Sequence, residues 1–174
     1  MCFMLGALLF LCIQLLFVVF LFYFSYAFLS GAPFVPTKNP AAVSMIKLAR
    51  IKKGDKVYDL GSGNGKLLFL AAKAGARAVG YEINPMLVLY SNFLAFFSPY
   101  RGRVITKWKN FWHADIHDAD VVFIYLLPWK MDRLAAKLKK DCKKGTIIVS
   151  NSFIFPGWKI LRQDRANHIY VFKT

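Results

Sequence analysis

Val57-Tyr58-Asp59-Leu60-Gly61-Ser62-Gly63-Asn64-Gly65 decides how this chain folds. A short β-type run, Lys56 to Leu60, enters three glycines at alternate positions, and an apolar segment, Lys66 to Ala74, follows at helical spacing. That order predicts a strand, a tight turn and a helix start. Without Cβ atoms, Gly61, Gly63 and Gly65 let main-chain N–H groups come close to a ligand, and the positive end of the helix dipole faces the same spot. Asp59, at the strand end, presents a carboxylate to the turn. Val79-Gly80-Tyr81-Glu82 predicts the next strand, and Glu82 is the only glutamate in the 174 residues. In open α/β sheets an acid roughly 20 positions past such a turn holds a ribose through its hydroxyls. Gly-x-Gly-x-Gly also occurs as an ordinary turn. The strand before it, the helix after it and the acid ending the next strand favour a nucleoside-containing cofactor.

Towards the N-terminus, Leu5 to Leu29 is 25 residues without a charge. At about 1.5 Å per residue it is long enough to cross a hydrocarbon core of about 30 Å. A cleaved signal peptide is the rival reading, opposed by the length of the run and by the lack of any Lys or Arg before it. All 24 Lys and Arg follow the segment, the first being Lys38. That bias expects a retained single-pass anchor with the C-terminal body on the cytoplasmic or topologically equivalent side. Tyr23, Phe24, Tyr26 and Phe28 are expected as an interfacial aromatic band. The organisation expected is therefore an anchor over 1–30, a Pro-rich linker over 31–39 and one domain over 40–174.

With 24 cations against 9 anions the net charge is +15. Nucleic-acid binding, attraction to anionic lipid headgroups and simple positive-inside bias all fit that number. No arginine-rich or aromatic-interleaved stripe is present, so nucleic acid is disfavoured and lipid proximity preferred. Cys2, Cys12 and Cys142 make no metal spacing or disulfide framework, and His113, His117 and His168 are too scattered for a ligand set, so no metal is expected.

Asn39 and Pro40 suit an N-cap and first helical position, with Val43, Ile46 and Leu48 or Ala49 as the apolar face and Gly54 as the stop. Asn84 and Pro85 open a second helix, running to about Phe97. Arg103 to Lys107 predicts a strand, and Asp120 to Leu126 a strand apolar enough to be buried on both faces. Trp129 to Asp141 is amphipathic, with Met131, Leu134, Ala135 and Leu138 inward. Thr146 to Ser150 predicts the fifth strand, and Trp158 to Gln163 with His168 to Phe172 a terminal antiparallel hairpin. Seven strands result, five alternating with helices.

The run Asp59 to Gly65, Glu82 and the closing hairpin resemble the class I S-adenosylmethionine-dependent methyltransferases, over about residues 40 to 174. The resemblance implies an α/β fold with a Rossmann-like seven-stranded sheet and S-adenosyl-L-methionine as cofactor. Gly61, Ser62, Gly63 and Gly65 would then face the methionine part, with Asp59 nearby. Glu82 would hold the ribose hydroxyls, and Ile83 would pack on adenine. Asn110-Phe111 falls where the class often has an acid that meets the adenine amino group; asparagine still accepts through its carbonyl. A nicotinamide domain would instead show Gly-x-Gly-x-x-Gly.

The anchor, the Val-Pro-Thr linker, Val57 to Gly65, Gly-Tyr-Glu, Asn-Phe-Trp, Tyr-Leu-Leu-Pro and Ser-Asn-Ser-Phe followed by Phe-Pro-Gly-Trp together look like the membrane-anchored lysine methyltransferases. Members of that family modify the mitochondrial ADP/ATP carrier and the c subunit of ATP synthase, so the resemblance implies a protein lysine acceptor in a membrane protein. A lysine must react as the neutral amine, against a free pKa of about 10.4. A dry pocket rimmed by Tyr125, Leu126, Pro128, Phe153 and Trp158 would favour that form. Tyr125 is the candidate for orienting the acceptor; as a plain core residue it would do nothing of the kind. The strand end lacks Asp/Asn-Pro-Pro-Tyr, which argues against amino methylation of adenine or glutamine. Two alternatives stay open: a methyltransferase for a membrane-borne lipid or quinone, and a non-catalytic membrane adaptor.

Overall fold

The computed structural model describes residues 2–30 and 35–174, and within the first stretch the side chains of residues 4–22 and 25. The chain divides into two units, Met1–Pro33 and Phe34–Thr174. The first is a single helix, α1 (Cys2–Ser30), without a charged residue. Its Met4–Phe22 segment has a mean hydropathy of 2.8 and buries none of its residues, so it is long and apolar enough to cross a membrane. The aromatic band expected at Tyr23, Phe24, Tyr26 and Phe28 lies outside the described side chains.

The second unit is a seven-stranded sheet in the order β3-β2-β1-β4-β5-β7-β6. Strands β1 (Lys56–Leu60), β2 (Arg77–Glu82), β3 (Val104–Trp108), β4 (Val121–Ile124) and β5 (Ile147–Asn151) are parallel. β6 (Arg162–Asp164) and β7 (Ile169–Lys173) are antiparallel, with β7 against β5. Helices α2 (Asn39–Ala49), α3 (Lys66–Lys73), α4 (Pro85–Phe96) and α5 (Met131–Asp141) complete the unit. The seven strands and the antiparallel ending agree with the sequence, while β3 and β4 are joined by the 3₁₀ turn Phe111–His113 rather than by an α-helix.

One core joins Ala42, Met45 and Ala49 of α2 and Leu68 and Ala72 of α3 to Val57, Phe123, Val149 and Val171 of the sheet. Burying the Met, Leu, Val and Phe side chains among them contributes about 1.5 to 3 kcal/mol each, and an alanine methyl about 0.8 kcal/mol. The stripe expected in α5 is the one buried: Met131, Leu134, Ala135 and Leu138. Ser44 Oγ donates to Asp164 Oδ2 at 2.6 Å and ties α2 to the hairpin. That hydroxyl, with Asn167, holds the Asp164 carboxyl down to about 2.

Several boundaries move. Lys38, not Asn39, is the N-cap of α2, without a side-chain bond. Asn39 Oδ1 instead accepts from Lys66 Nζ at 3.1 Å. The helix stops at Ala49 because Arg50 turns left-handed at φ 54, four residues before Gly54. Its buried face is Ala41, Ala42, Ser44, Met45 and Ala49, while Val43 is exposed. α5 begins two residues later than expected, after a 3₁₀ turn over Pro128–Lys130. The hairpin strand begins at Arg162 rather than Trp158.

Candidate functional site

In a sheet of this order the chain leaves β1 and β4 in opposite directions, and the crevice at their carboxyl ends is where ligands sit. Here that crevice receives the glycine turn from β1, the acid ending β2 and the segment after β4. Gly61, Gly63 and Gly65 all have positive φ, at 94, 54 and 81°, a region that side chains with a Cβ rarely enter. A Cβ on Gly61 would meet nothing within 4 Å, whereas one on Gly65 would lie 2.3 Å from Ser91 Oγ. Gly61 thus leaves open room over the turn, and Gly65 lets α4 pack against it.

The glycine N–H groups do not point at a ligand as the sequence suggested. Gly61 and Ser62 donate to the Tyr81 carbonyl at 2.9 and 3.1 Å, and Gly65 to Ser62 O at 2.9 Å. Gly63 N–H donates to Glu82 Oε2 at 2.8 Å. The turn is stitched to β2, and its glycines provide shape. Behind it the N-cap of α3 is Gly65, which has no side chain to cap the helix, and Asn64 Oδ1 accepts from the first N–H, that of Lys66, at 3.3 Å. The first-turn N–H groups of the helix lack intrahelical partners and favour negative charge.

Glu82 is buried and closes the far side of the turn. Its Oε1 accepts from the N–H groups of Ile83 and Asn84, both at 2.8 Å, and its Oε2 from Gly63. A carboxylate offers about four acceptor positions; three are taken by backbone, which fixes the carboxylate and leaves the remaining one on Oε2. Asp59 lies beside it, 5% exposed, and no described residue donates to its carboxylate. Burial, and then the nearby Glu82 charge, push the Asp59 carboxyl up to about 7. Ser62 Oγ is likewise buried without a partner. An orphan hydroxyl, an unpaired carboxylate and the open side of Gly61 around one turn fit a polar, partly cationic ligand better than a closed structural turn.

Further out, Ile83 is half-buried just after Glu82, and Phe111 is buried. Asn110 Oδ1 accepts from Trp112 N–H at 3.0 Å and caps the 3₁₀ turn Phe111–His113. Its carbonyl therefore keeps one acceptor position. Tyr125 is half-buried directly after β4, and Leu126 beside it is buried. Pro128 is exposed and Phe153 half-buried after β5, where Ser150 Oγ donates to the Phe153 carbonyl at 2.6 Å.

Trp158 does not join them. The chain reverses at Gly157, φ 72°, and the Trp158 ring packs on Phe155 and Phe172 at 5.0 and 6.1 Å. It lines a cavity of about 640 Å³ with Lys139, Cys142, Lys144 and Thr174. Thr174 pairs with Gly145 and Thr146 ahead of β5, so this cavity lies towards the amino-terminal end of β5, away from the crevice. No group of three or more metal-ligating side chains occurs among the described residues, and His113, His117 and His168 are exposed.

Sequence reasoning missed Lys66. Its ammonium donates to the Thr37 carbonyl at 2.6 Å and to Asn39 Oδ1, pinning the Val-Pro-Thr linker to the first residue of α3. A lone lysine at a helix start carries no signal for a contact 29 residues away.

The profile of the family described as the ANTKMT methyltransferase domain matches residues 59–162. An ATP synthase c-subunit lysine N-methyltransferase of Rattus norvegicus is 34% identical over 126 residues, covering 72% of this chain and 58% of its own length. The chain thus spans little more than half of that relative. A protein-lysine N-methyltransferase of Saccharolobus islandicus is 34% identical over 134 residues, covering 76% of this chain and 83% of its own. A crystal structure described as an RNA methyltransferase from Salinibacter ruber in complex with S-adenosyl-L-homocysteine aligns with a TM-score of 0.75 and 35% identity, covering 80% of this chain and 92% of that one. The profile match covers more than half of the chain, and the chain belongs to the ANTKMT methyltransferase domain family, whose members depend on S-adenosylmethionine.

Proposed function

We propose that this chain transfers a methyl group from S-adenosylmethionine to a lysine side chain of a membrane protein, with α1 as a single-pass tether and the domain on the cytoplasmic or topologically equivalent side. The observation that carries the reading is the Asp59–Glu82 pair around the glycine turn, in a chain 34% identical to a protein-lysine N-methyltransferase. The division into anchor 1–30, linker 31–39 and domain 40–174 belongs to the same proposal. It is supported by a break between compact units close to that linker.

Glu82 holds the ribose hydroxyls through its free acceptor position, and its three backbone donors fix the carboxylate's orientation. The Asp59 carboxylate receives the α-ammonium of the methionine part, and Ser62 Oγ gains a partner there. The open side of Gly61 admits that part of the ligand, and Gly63 and Gly65 keep the turn in the shape that leaves this room. Ile83 and Phe111 flank adenine, and the Asn110 carbonyl takes its amino group. When bound, the cofactor would supply a methyl group on a cationic sulfur, open to in-line attack by an amine lone pair with the neutral thioether as leaving group and the amine proton lost to solvent. Positioning is then most of the catalysis. Leu126, Pro128 and Phe153 supply apolar walls that disfavour an ammonium and so favour the reactive amine, and the Tyr125 hydroxyl orients it.

The test is incubation of the full chain in lipid nanodiscs with methyl-labelled cofactor and membrane extract, followed by hydrolysis of the products. Label in methyllysine is expected. An RNA acceptor is a second reading, favoured by the net charge of +15 and by the Salinibacter ruber relative. Label only in RNA would establish it, label only in organic extract would establish a lipid or quinone acceptor, and no transfer or cofactor binding would leave a membrane adaptor.

A further inference from the structure

Helix α4 is covered on one face and bare on the other, and the bare face is apolar. Val88, Ser91 and Ala95 turn inward. There Ser91 Oγ bonds Thr106 Oγ1 at 2.8 Å, and Asn92 pairs with the Thr106 backbone through two hydrogen bonds of 2.8 Å. Outward, Met86, Leu89, Phe93 and Phe96, with Phe97 just past the helix, are 52–71% exposed. Their spacing of three, four, three and one places them on one stripe. Phe97 packs its ring on Phe93 and Phe96, both at 5.0 Å, so the stripe is continuous at that end. At the other end Trp108 is 69% exposed, its indole N–H held by the Ile83 carbonyl at 3.0 Å. Domains that stay in water rarely leave contiguous apolar surface of this kind uncovered.

The charge around this stripe has one sign. Between Ile83 and Ala114 the sequence has Arg101, Arg103, Lys107 and Lys109 and no Asp or Glu. All four are exposed. The Arg101 guanidinium lies 4.1 Å from the centre of the Phe96 ring, and that of Arg103 5.3 Å from Tyr100, so the cations edge the aromatic surface itself. Apolar side chains rimmed by unbalanced cations complement hydrocarbon beneath anionic headgroups. α4 has 12 residues, about 18 Å, too short to cross a bilayer and long enough to lie along one. Residues 31–38 alone separate α1 from α2; eight residues extend at most about 29 Å, so a bilayer spanned by α1 is within reach of the domain.

We propose that the outer face of α4, from Met86 to Phe97 with Trp108, docks on the anionic surface of the bilayer. The inference rests on the reading of α1 as a membrane anchor. α4 starts directly after the strand that ends in Glu82, so docking this face brings the cofactor crevice to the level of the headgroups. A lysine at the membrane surface is then the acceptor within reach, and one far out in the aqueous phase is not.

Spin labels test this on the full chain, with the three native cysteines replaced by serine and single cysteines placed by Phe93→Cys on the stripe, Val43→Cys on the exposed side of α2 and Val18→Cys in α1. Collision with oxygen, which concentrates in lipid, and with a water-soluble nickel chelate is read in nanodiscs of anionic and of neutral lipid. In anionic nanodiscs the label at residue 93 is expected to lose nickel collisions and gain oxygen collisions relative to residue 43, less so in neutral lipid. Nickel access at residue 93 equal to that at residue 43, with residue 18 shielded, overturns the docking and leaves the anchor standing. Nickel access at residue 18 overturns the anchor and the docking with it. Dipolar broadening between labels at residue 93 assigns the face to a second copy, and shielding there only after a soluble protein is added assigns it to that protein; either result also overturns the proposal.

Discussion

Replacing Asp59 by asparagine should stabilise the ligand-free fold by an amount that grows with pH. The carboxyl ionises at about 7 in the folded chain, against 3.8 for the free group, chiefly through burial and then through the Glu82 charge. Below the free value both states are protonated and nothing is lost. As pH rises past it the unfolded chain releases its proton first, the folded chain binds more protons, and stability falls until the folded group also ionises near 7. The full rise corresponds to roughly 4 kcal/mol, of which about 2.5 kcal/mol accrues between about pH 5 and pH 8. Asparagine does not titrate, so the stability of Asp59→Asn minus that of the parent should widen by about 2.5 kcal/mol over that interval. Any fixed cost of the buried amide, about 1 to 3 kcal/mol, cancels in the difference. Urea titrations of both full chains in detergent micelles, followed by tryptophan fluorescence, measure it. Adding Glu82→Gln to both should narrow the widening, since it removes the second cause of the shift. A difference that stays constant from about pH 5 to pH 8 would refute the reasoning and place the Asp59 carboxyl in contact with water.

Cofactor affinity should move the other way with pH. If an ammonium pairs with Asp59, binding needs the carboxylate, so affinity should rise up to tenfold per pH unit below about 7 and level off above it, as calorimetry at several pH values will show. Gly65→Ala should cost about 2 to 4 kcal/mol, because the residue must enter a left-handed conformation and its Cβ meets Ser91 Oγ, itself held by Thr106; urea unfolding measures it, and an unchanged midpoint would show that α4 can yield. Lys66→Met should release Thr37 and Asn39 at a cost of about 1 to 2 kcal/mol, visible as faster amide exchange over residues 35–39 with little change in the sheet.

The readable parts of the fold were those where local chemistry and the final environment agree. Three glycines at alternate positions after an apolar strand have few other uses, and all three took positive φ. Val121 to Ile124 is apolar at every position because both faces of a central parallel strand are covered. α2 misled because its core face is built largely from alanines. Small side chains give little periodic signal, and Val43, which does, faces outward. Asp59 and Glu82 were found by their place at strand ends, but no pattern could tell that the glycine N–H groups between them are spent on Tyr81, Ser62 and Glu82. Trp158 was misplaced because it follows Phe153 closely in sequence, and the turn at Gly157 sends it to the other end of the sheet. Lys66 and Thr37 meet only through the tertiary fold.

Calorimetric titration of S-adenosylhomocysteine into the full chain, beside its Glu82→Ala variant and with NADH as a control ligand, asks most directly whether the crevice at the carboxyl ends of β1 and β4 is a methyltransferase cofactor site. Saturable binding that is lost in the variant and absent for NADH is the expected result. A folded chain that takes up neither ligand would contradict it.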